Sequence, residues 1–345
     1  MQSHTEGQLV TDRAGDILHE IVSLCQSYDL PVVDDRPARI KISYGIGTIQ
    51  LAPVANGISI DIGAGSESNG FMLREFVATQ VEAFDAALVD GLHWADTPLA
   101  GNLPPNFRVG QVVSVTEEGA LFQRLVLRAP DLAPFARDGL HLRLALPQPS
   151  RAPVWPRVDD KGRTRWPADE DALHVAVYTI RDVNPATGEM VIDAFRHGGS
   201  GPTCTWLHHA RPRDPIGLIG PGGGWLPEAR HLTLAGDETA FPAIFRILES
   251  ASAATGGTVL LEAEDAALIP DVHLPQGFAL RRLSREKGES LEAGLRSTDL
   301  GPEGDRHVWF AAEKTRATAM RGELRGERGL SKDETHVAAY WSAFS

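Results

Sequence analysis

Cysteine and long apolar runs are what this sequence has least of. Its 345 residues include only two cysteines, Cys25 and Cys204, which are too few for a disulfide framework or a zinc knuckle. No apolar run approaches the roughly 18–20 residues that span a bilayer. Residues 1–15 are polar and acidic and lack the basic-then-apolar pattern of a leader. We therefore expect a cytoplasmic protein without a membrane span.

Basic residues are also few. Lysine and arginine number 33 against 46 acidic residues, which gives a formal net charge of −13. Nucleic-acid binding proteins carry a basic excess, so nucleic acid is not expected as a partner. The composition is 42% hydrophobic and 23% charged, as is usual for a soluble globular protein. At roughly 100–200 residues per domain, the length predicts two or three domains.

The first segment, residues 1–97, predicts a small α+β domain of unknown role. Residues 16–28 and 71–89 have apolar side chains at helical spacing. Between them, residues 38–44, 48–51 and 58–62 alternate as strands do, with a turn at 55–57. A stretch rich in proline and glycine, at 96–105, predicts a linker.

The rest of the chain predicts two further domains. Residues 106–227 contain several short strands broken by turn signals, which favour a closed antiparallel β-barrel. Within them, 147–170 is dense in Pro, Arg and Asp and predicts a surface loop. Residues 228–345 alternate strands with helices, which predicts a doubly wound α/β domain. The predicted fold class is therefore multi-domain, α+β followed by a barrel and an α/β domain.

Three motifs offer binding chemistry. On the strand at 174–181, alternation puts His174, Ala176 and Tyr178 on one face and Thr179 and Arg181 on the other. A tyrosine ring offers a flat surface to an isoalloxazine ring, and a neighbouring hydroxyl can hydrogen-bond flavin N5. An ordinary barrel strand is the alternative.

The second motif is a glycine-rich loop that leads through Gly201 and Pro202 into a helix, whose first amides can hold a phosphate. A capped turn is the alternative. The third is Gly236-Asp237-Glu238-Thr239, which places a helix start at the carboxyl end of a strand, where doubly wound sheets bind ligands. It lacks the G-x-G-x-x-G fingerprint. No metal site is predicted, because His208 and His209 have no third ligand at a suitable spacing.

These motifs together resemble the siderophore-interacting protein family, which are flavin-dependent ferric-siderophore reductases. The resemblance is carried by the segments VYTIR, HGGSGPTCTW, ARPRDPIGLIGPGG, GDETAFPAI and the late VWFAAEKTRATAMRGELRGERGL…AYW, and it extends over about residues 106–341. It implies a ferredoxin-reductase-like fold, with FAD in the barrel (106–227) and NADPH or NADH over the α/β domain (228–345). Residues 1–97 resemble a small domain sometimes fused ahead of such proteins, and no function transfers to them.

The resemblance assigns roles residue by residue. Tyr178 would line the flavin, and Thr179 would lie near N5 as the catalytic hydroxyl. The flavin-phosphate loop would be formed by His197, Gly201, Pro202 and Thr203. The edge of the nicotinamide pocket would be formed by Asp237, Glu238 and Thr239.

Two positions depart from the family pattern, because Ala176 and Thr205 stand where relatives have arginines that face the flavin diphosphate. Loss of one charge-assisted contact costs roughly 1.5–3 kcal/mol. His174, Thr203 and Thr205 could supply neutral replacements.

The expected substrate is a ferric siderophore, which is often anionic and would favour a basic pocket. Lys314, Arg316 and Arg321 are the candidates for that pocket, and a solvated helix face pairing with Glu313, Glu323 and Glu327 is the alternative. The predicted function is electron transfer from NAD(P)H through FAD to chelated Fe(III), with release of Fe(II). Two rivals stay open: a flavin-free protein that binds a siderophore or a nucleotide, and a general flavin reductase with an electron-transfer protein as partner.

Overall fold

The computed structural model describes residues 3–27, 32–36, 39–96, 100–137, 139–149, 151–197, 201–223 and 226–343. The chain forms two compact units. One consists of Met1–Arg108 and Pro147–Leu173, and the other of Val109–Leu146 and His174–Ser345. No helix among the described residues is long and apolar enough to cross a membrane.

The first unit is built on a six-stranded antiparallel sheet in the order β2-β3-β4-β5-β1-β6. Its elements are β1 (Ser3–Val10), α1 (Ala14–Ser27), β2 (Val32–Arg36), β3 (Arg39–Tyr44), β4 (Gly47–Val54), β5 (Gly57–Ala64), α2 (Glu67–Phe84) and β6 (Leu92–Trp94). Alternate residues of the strands and the apolar stripes of α1 and α2 form one core, in which Ile42, Ile49 and Cys25 are fully buried. The two predicted helices and the hairpin are present, and β1 is a strand that the periodicity did not identify.

The second unit begins with a seven-stranded antiparallel sheet in the order β12-β9-β15-β7-β8-β14-β13. Its elements are β7 (Phe107–Glu118), β8 (Phe122–Arg128), α3 (Ala133–Arg137), β9 (His141–Leu146), β12 (His174–Thr179), β13 (Asp182–Asn184), β14 (Glu189–Phe195), α4 (Pro202–His209) and β15 (Pro215–Gly222). Only Ile180 and Arg181 separate the two end strands, β12 and β13. A two-residue link between opposite edges requires the sheet to roll up, so the predicted barrel is confirmed.

The segment between β9 and β12 belongs to the first unit and is more ordered than a plain surface loop. It forms the hairpin β10 (Arg157–Val158) and β11 (Thr164–Arg165). The ring of Trp155 lies 5.6 Å from that of Phe107, and the Thr164 amide donates to Glu75 at 3.2 Å. Its many prolines and charges predicted solvation, but its two tryptophans supply the apolar surface that anchors it.

The second unit ends in a five-stranded parallel sheet in the order β18-β17-β16-β19-β20. Its elements are β16 (His231–Asp237), α5 (Phe241–Ser250), β17 (Gly256–Ala263), β18 (Phe278–Ser284), α6 (Leu291–Arg296), β19 (Arg306–Glu313), α7 (Lys314–Gly322) and β20 (Thr335–Trp341). The predicted doubly wound domain is confirmed. A Cβ at Gly236 would lie 2.5 Å from that of Ala240, so glycine is needed where the helical turn packs on the strand end.

A buried arginine ties the barrel to the α/β domain. Arg246 of α5 is 8% exposed, and its guanidinium donates to the carbonyls of Gly139 and Ile180 in the barrel and to the last turn of α3. Helix C-termini attract cations, and four acceptors offset the cost of burying the charge. The contact fixes the two domains side by side, with a cleft between them.

Candidate functional site

The cleft between the barrel and the α/β domain encloses about 560 Å³. Residues from both domains line it: Val177, Tyr178, Thr179, Asp193, Phe195 and His197 from the barrel, and Thr239, His336, Ala338, Tyr340 and Trp341 from the α/β domain. None of the described residues that line it is a lysine or an arginine. Its walls are therefore aromatic, hydroxyl-bearing and imidazole-bearing rather than strongly basic.

The barrel wall of the cleft is strand β12. Tyr178 is half-buried at the cleft, and its hydroxyl hydrogen-bonds the Thr203 hydroxyl. His174 Nε2 lies 2.9 Å from the same Thr203 oxygen. Burial raises the pKa of Tyr178 above its usual value, while the Thr203 contact opposes the shift. His174 and Tyr178 share one face of β12, as alternation predicted, and on that face both meet the buried Thr203 of α4.

A chain of hydrogen bonds fixes Thr179, which is 6% exposed at the back of the cleft. His141 Nδ1 lies 3.0 Å from the Gly223 carbonyl, so this nitrogen is the donor. Burial lowers the pKa of His141, so the ring is neutral and its Nε2 accepts from the Tyr340 hydroxyl at 2.7 Å. The Thr179 hydroxyl opposes the rise that burial causes in the pKa of Tyr340, so we assign it as a donor to Tyr340, whose own single proton is already used.

The start of α4 contacts β12, the barrel wall of the cleft, through Thr203 and His174. Gly201 precedes the helix and Pro202 is its first residue, as predicted. The first intrahelical bond joins the Thr205 amide to the Gly201 carbonyl, so the amides of Thr203 and Cys204 precede the helical ladder. A Cβ at Gly201 would lie 3.0 Å from the His197 ring, and glycine allows that approach. Residues 198–200 of the glycine-rich loop lie outside the described residues.

A second cavity of about 310 Å³ lies beside the cleft and shares His197 with it. Its lining includes Arg196, His208, His209, Cys204 and the exposed Thr205. Arg196 pairs with Glu117 at 3.0 Å, and the His209 ring lies 2.8 Å from the Thr205 carbonyl. His197 thus stands between two cavities that together could hold an extended ligand.

The α/β wall of the cleft is organised by Asp237, which is 2% exposed. Its Oδ1 accepts from the Thr239 hydroxyl at 2.6 Å and from the Thr239 amide at 3.1 Å. Its Oδ2 accepts from the Trp341 indole at 2.8 Å. Burial raises the Asp237 pKa, while the Thr239 and Trp341 contacts oppose the rise. Asp237 therefore caps the helical turn that follows β16, and the same carboxylate also holds the Trp341 side chain at the cleft.

The structure places several predicted residues away from the cleft. Glu238 does not face it: the guanidinium of Arg285 takes both its carboxylate oxygens, at 2.5 and 2.9 Å. Arg316 is held by Glu262 and Glu292. Arg321 donates to the Val337 carbonyl at 2.7 Å.

The predicted basic pocket is therefore not assembled by Lys314, Arg316 and Arg321. Arg316 lies next to the fully buried carboxylate of Glu262, and withdrawing the guanidinium for a ligand would leave that buried charge uncompensated. Lys314 is exposed at the start of α7 and stays a prediction. The structure agrees better with the alternative of a charge-paired helix. Arg316 pairs with Glu262 and Glu292, however, and not with the expected partners Glu313, Glu323 and Glu327.

Sequence reasoning passed over four cleft residues: His141, His336, Tyr340 and Trp341. The His336 ring stacks on Trp309 with centroids 5.6 Å apart, and burial lowers its pKa to about 4. Three of the four belong to β20, which was not predicted as a strand. The aromatic pair Tyr340-Trp341 at the end of an alternating run was the available signal.

An antiparallel barrel followed by a parallel α/β domain, with the cleft between them, defines the ferredoxin-reductase-like class of proteins. Two family models match the same two domains. Residues 111–225 match the siderophore-interacting FAD-binding domain, and residues 229–343 match the siderophore-interacting protein domain. Together they cover about two thirds of the chain. The chain belongs to the siderophore-interacting protein family, as the motifs predicted.

Individual relatives agree with this placement. A siderophore utilization protein from T. fusca is 30% identical, with a TM-score of 0.59 over 69% of this chain and 94% of that one. The siderophore-interacting protein SipS from Aeromonas hydrophila is 26% identical, with a TM-score of 0.58 over 70% of this chain and 93% of that one. The ferric vibriobactin reductase ViuB of Vibrio cholerae is 27% identical over 227 residues, which are 63% of this chain and 83% of that protein.

Proposed function

We propose that this chain is a flavin-dependent ferric-siderophore reductase that takes electrons from a nicotinamide dinucleotide. The observation that carries the proposal is the cleft, in which Tyr178 and Thr179 of the barrel face Thr239 and Tyr340 of the α/β domain. A flavin held on the barrel side would meet a nicotinamide held on the other side. The family match to a siderophore-interacting FAD-binding domain and the name of the Vibrio cholerae relative support the same chemistry.

The residues present fit FAD. A half-buried tyrosine ring and a hydroxyl at the back of the cleft suit an isoalloxazine ring, which needs a flat apolar wall and few polar contacts. The Thr203 and Cys204 amides at the start of α4 suit a phosphate. His197 connects this region with the second cavity, which extends the space available to a dinucleotide.

When bound, FAD accepts a hydride from the nicotinamide and passes the electrons one at a time to Fe(III), whose reduced form hard oxygen donors hold weakly. The chain itself orients and shields. Tyr178 is held by Thr203, and Thr179 is held by Tyr340, so neither side chain must reorganise. Because the Thr179 proton is donated to Tyr340, the Thr179 oxygen presents an acceptor to the cleft.

The direct test is the absorbance of the purified full-length protein at the flavin bands, followed by anaerobic titration with NADH or NADPH and a ferric siderophore. We expect the protein to take up flavin and to form two Fe(II) for each nicotinamide oxidised, because the nicotinamide supplies two electrons and each Fe(III) accepts one. A protein that neither binds added FAD nor oxidises a nicotinamide contradicts the proposal.

The second candidate function is a flavin-free siderophore or nucleotide binder. The observation that favours it is the absence of any lysine or arginine among the described residues that line the cleft, with Ala176 and Thr205 at two positions where the family has arginine. The double variant Ala176→Arg/Thr205→Arg separates the candidates. For a flavoprotein we expect FAD affinity to rise by about tenfold or more, because each charge-assisted contact contributes roughly 1.5–3 kcal/mol.

A matched control places arginine on a half-buried strand residue that does not line the cleft, for instance Val191→Arg of β14. FAD affinity should not rise in this control. Tight binding of a ferric siderophore without flavin, together with unchanged FAD affinity in the double variant, would favour the binder.

A further inference from the structure

We propose that the nicotinamide cosubstrate of this chain is NADH rather than NADPH. Among the described residues at the carboxyl edge of the parallel sheet, the guanidiniums are paired with carboxylates rather than open to a 2′-phosphate, and a carboxylate faces the place of the ribose instead. The proposal rests on the proposed function. It goes further by naming the cosubstrate and the residues that select it.

The edge is defined by the register of three neighbouring strands. Asp237 of β16 pairs with Glu262 of β17, and Ala263 of β17 pairs with Ser284 of β18. The next residues along the chain, Glu238, Glu264 and Arg285, therefore emerge together at the same edge. Ligands of doubly wound domains bind outside the carboxyl ends of the strands.

Arg285 is the cation best placed at this edge to bind a phosphate, and three carboxylates hold it. Its guanidinium contacts Glu238 at 2.5 Å, Glu262 at 3.3 Å and Glu264 at 3.2 Å. The hydrogen bonds that Arg285 donates to Glu238 raise the pKa of Arg285 above its usual value, against the effect of burial. Glu238 and Glu262 are buried, so these carboxylates cannot swing away to release the guanidinium.

The neighbouring charges do not reverse this balance. Arg316 is also bound to Glu262 and to Glu292, so this cluster of two guanidiniums and four carboxylates is net negative. Lys287 is exposed, but it lies between Glu286 and Glu289. A 2′-phosphate carries nearly two negative charges at neutral pH and would be placed against this excess.

Glu264 is the group placed to recognise the ribose. It directly follows β17, the second strand of the β16-α5-β17 unit, and 63% of its side chain is exposed. In β-α-β dinucleotide sites that carry the G-x-G-x-x-G fingerprint, an acidic residue about 20 residues further on accepts from the ribose 2′-hydroxyl, whereas an arginine accommodates the 2′-phosphate. This chain lacks the fingerprint, and Glu264 is assigned by its place directly after the second strand of the unit. Glu264 can accept that bond with its lone pairs while Arg285 keeps its contact.

The test compares two probes that differ only in the 2′-phosphate. Adenosine 5′-monophosphate and adenosine 2′,5′-bisphosphate are titrated by calorimetry into the full chain and into Glu264→Gln. We expect the monophosphate to bind about tenfold or more tightly than the bisphosphate, and Glu264→Gln to reduce that ratio by about tenfold, because it removes one charge and one charge-assisted bond. Glu264 is exposed, so this variant should fold.

The control is Asp305→Asn, which removes a carboxylate paired with Arg230 at the opposite, amino edge of the sheet. The probe ratio should not change in this variant.

Tighter binding of the bisphosphate, no effect of Glu264→Gln, or binding of neither probe would overturn the inference. The proposed function is judged separately, by flavin uptake and Fe(II) formation. A flavoprotein that prefers NADPH would refute the cosubstrate and leave the reductase standing. A chain that prefers the monophosphate but takes up no flavin would refute the reductase and leave the nucleotide preference standing.

Discussion

The hydroxyl of Thr179 has one proton, and Tyr340 receives it. This arrangement depends on His141, whose ring is neutral because burial lowers its pKa and whose Nδ1 proton is used by the Gly223 carbonyl. Two side chains, His141 and Tyr340, and the Gly223 carbonyl come from distant parts of the sequence and together decide which way the Thr179 hydroxyl points. At the scale of single residues, what Thr179 offers to a ligand depends on where its proton lies.

Tyr340→Phe tests this chain of hydrogen bonds. Without the Tyr340 oxygen, the Thr179 proton can be donated into the cleft, where it would stabilise oxidised flavin, whose N5 is an acceptor. We expect the midpoint potential of the bound flavin to become about 10–30 mV more negative, the equivalent of one ordinary hydrogen bond. Redox titration measures the shift.

Tyr44→Phe is the matched control, because it removes a phenolic hydroxyl in the first unit that has no hydrogen-bond partner. An unchanged potential in Tyr340→Phe, or an equal shift in both variants, would contradict the assigned proton positions.

At the scale of single elements, the carboxyl end of β17 concentrates structural charge. Glu262 is fully buried and accepts from Arg285, from Arg316 and from the Leu291 amide at the start of α6. One carboxylate thus joins β17 to α6, α7 and the turn after β18. Such a buried group has a large effect on stability when one partner is removed.

Glu262→Gln should lower the free energy of unfolding by about 3 kcal/mol, because it leaves two guanidiniums without their shared counterion. Urea denaturation followed by circular dichroism measures the change. Asp271→Asn removes an exposed carboxylate that pairs with Arg282 in the same domain, and should cost less than about 1 kcal/mol. Similar losses in both variants would show that Glu262 does not hold these elements together.

At the scale of the whole molecule, folding stability depends on pH through buried imidazoles. Burial lowers the pKa of His336 to about 4 from 6.5. Below pH 6.5 the unfolded state binds a proton at this residue that the folded state does not. The stabilisation is therefore complete above pH 6.5 and is lost as the pH falls towards 4.

His336→Phe keeps a ring beside Trp309 and removes the titrating group. We expect the wild-type melting temperature to fall more steeply than that of the variant between pH 6.5 and pH 4.5, from a linkage of up to about 3 kcal/mol. His93→Phe, a substitution in the first unit, serves as control. Parallel curves for wild type and His336→Phe would contradict the prediction.

The first unit includes a second segment, Pro147–Leu173, that is remote in sequence from its first segment. Susceptibility to proteolysis therefore depends on how firmly this segment is attached. Trp155→Ala removes the ring that packs on Phe107. We expect trypsin to cleave this segment several-fold faster, at arginines such as Arg157, because local opening controls cleavage. Val154→Ala, at an exposed neighbour, is the control, and equal cleavage rates in the two variants would show that the ring is not an anchor.

The sequence alone determined the elements whose signal is local. Neighbouring residues were enough to predict the period-two strands, the apolar stripe of α5 and the helix start at Gly201-Pro202. The order of these elements then predicted the barrel and the α/β domain, and the motifs predicted the family. The shared strand face of His174 and Tyr178 was also predicted, because alternation puts a side chain on one face of a strand wherever that strand lies.

Tertiary structure decided what depends on distant partners. Glu238, Arg285 and Arg316 have the composition of a ligand site, yet the fold brings carboxylates and guanidiniums close enough to neutralise one another. His141 and Tyr340 gain their roles because β9 and β20, far apart in the chain, end at the same cleft. Local spacing carries no information on such encounters, since opposite charges pair according to distance in space.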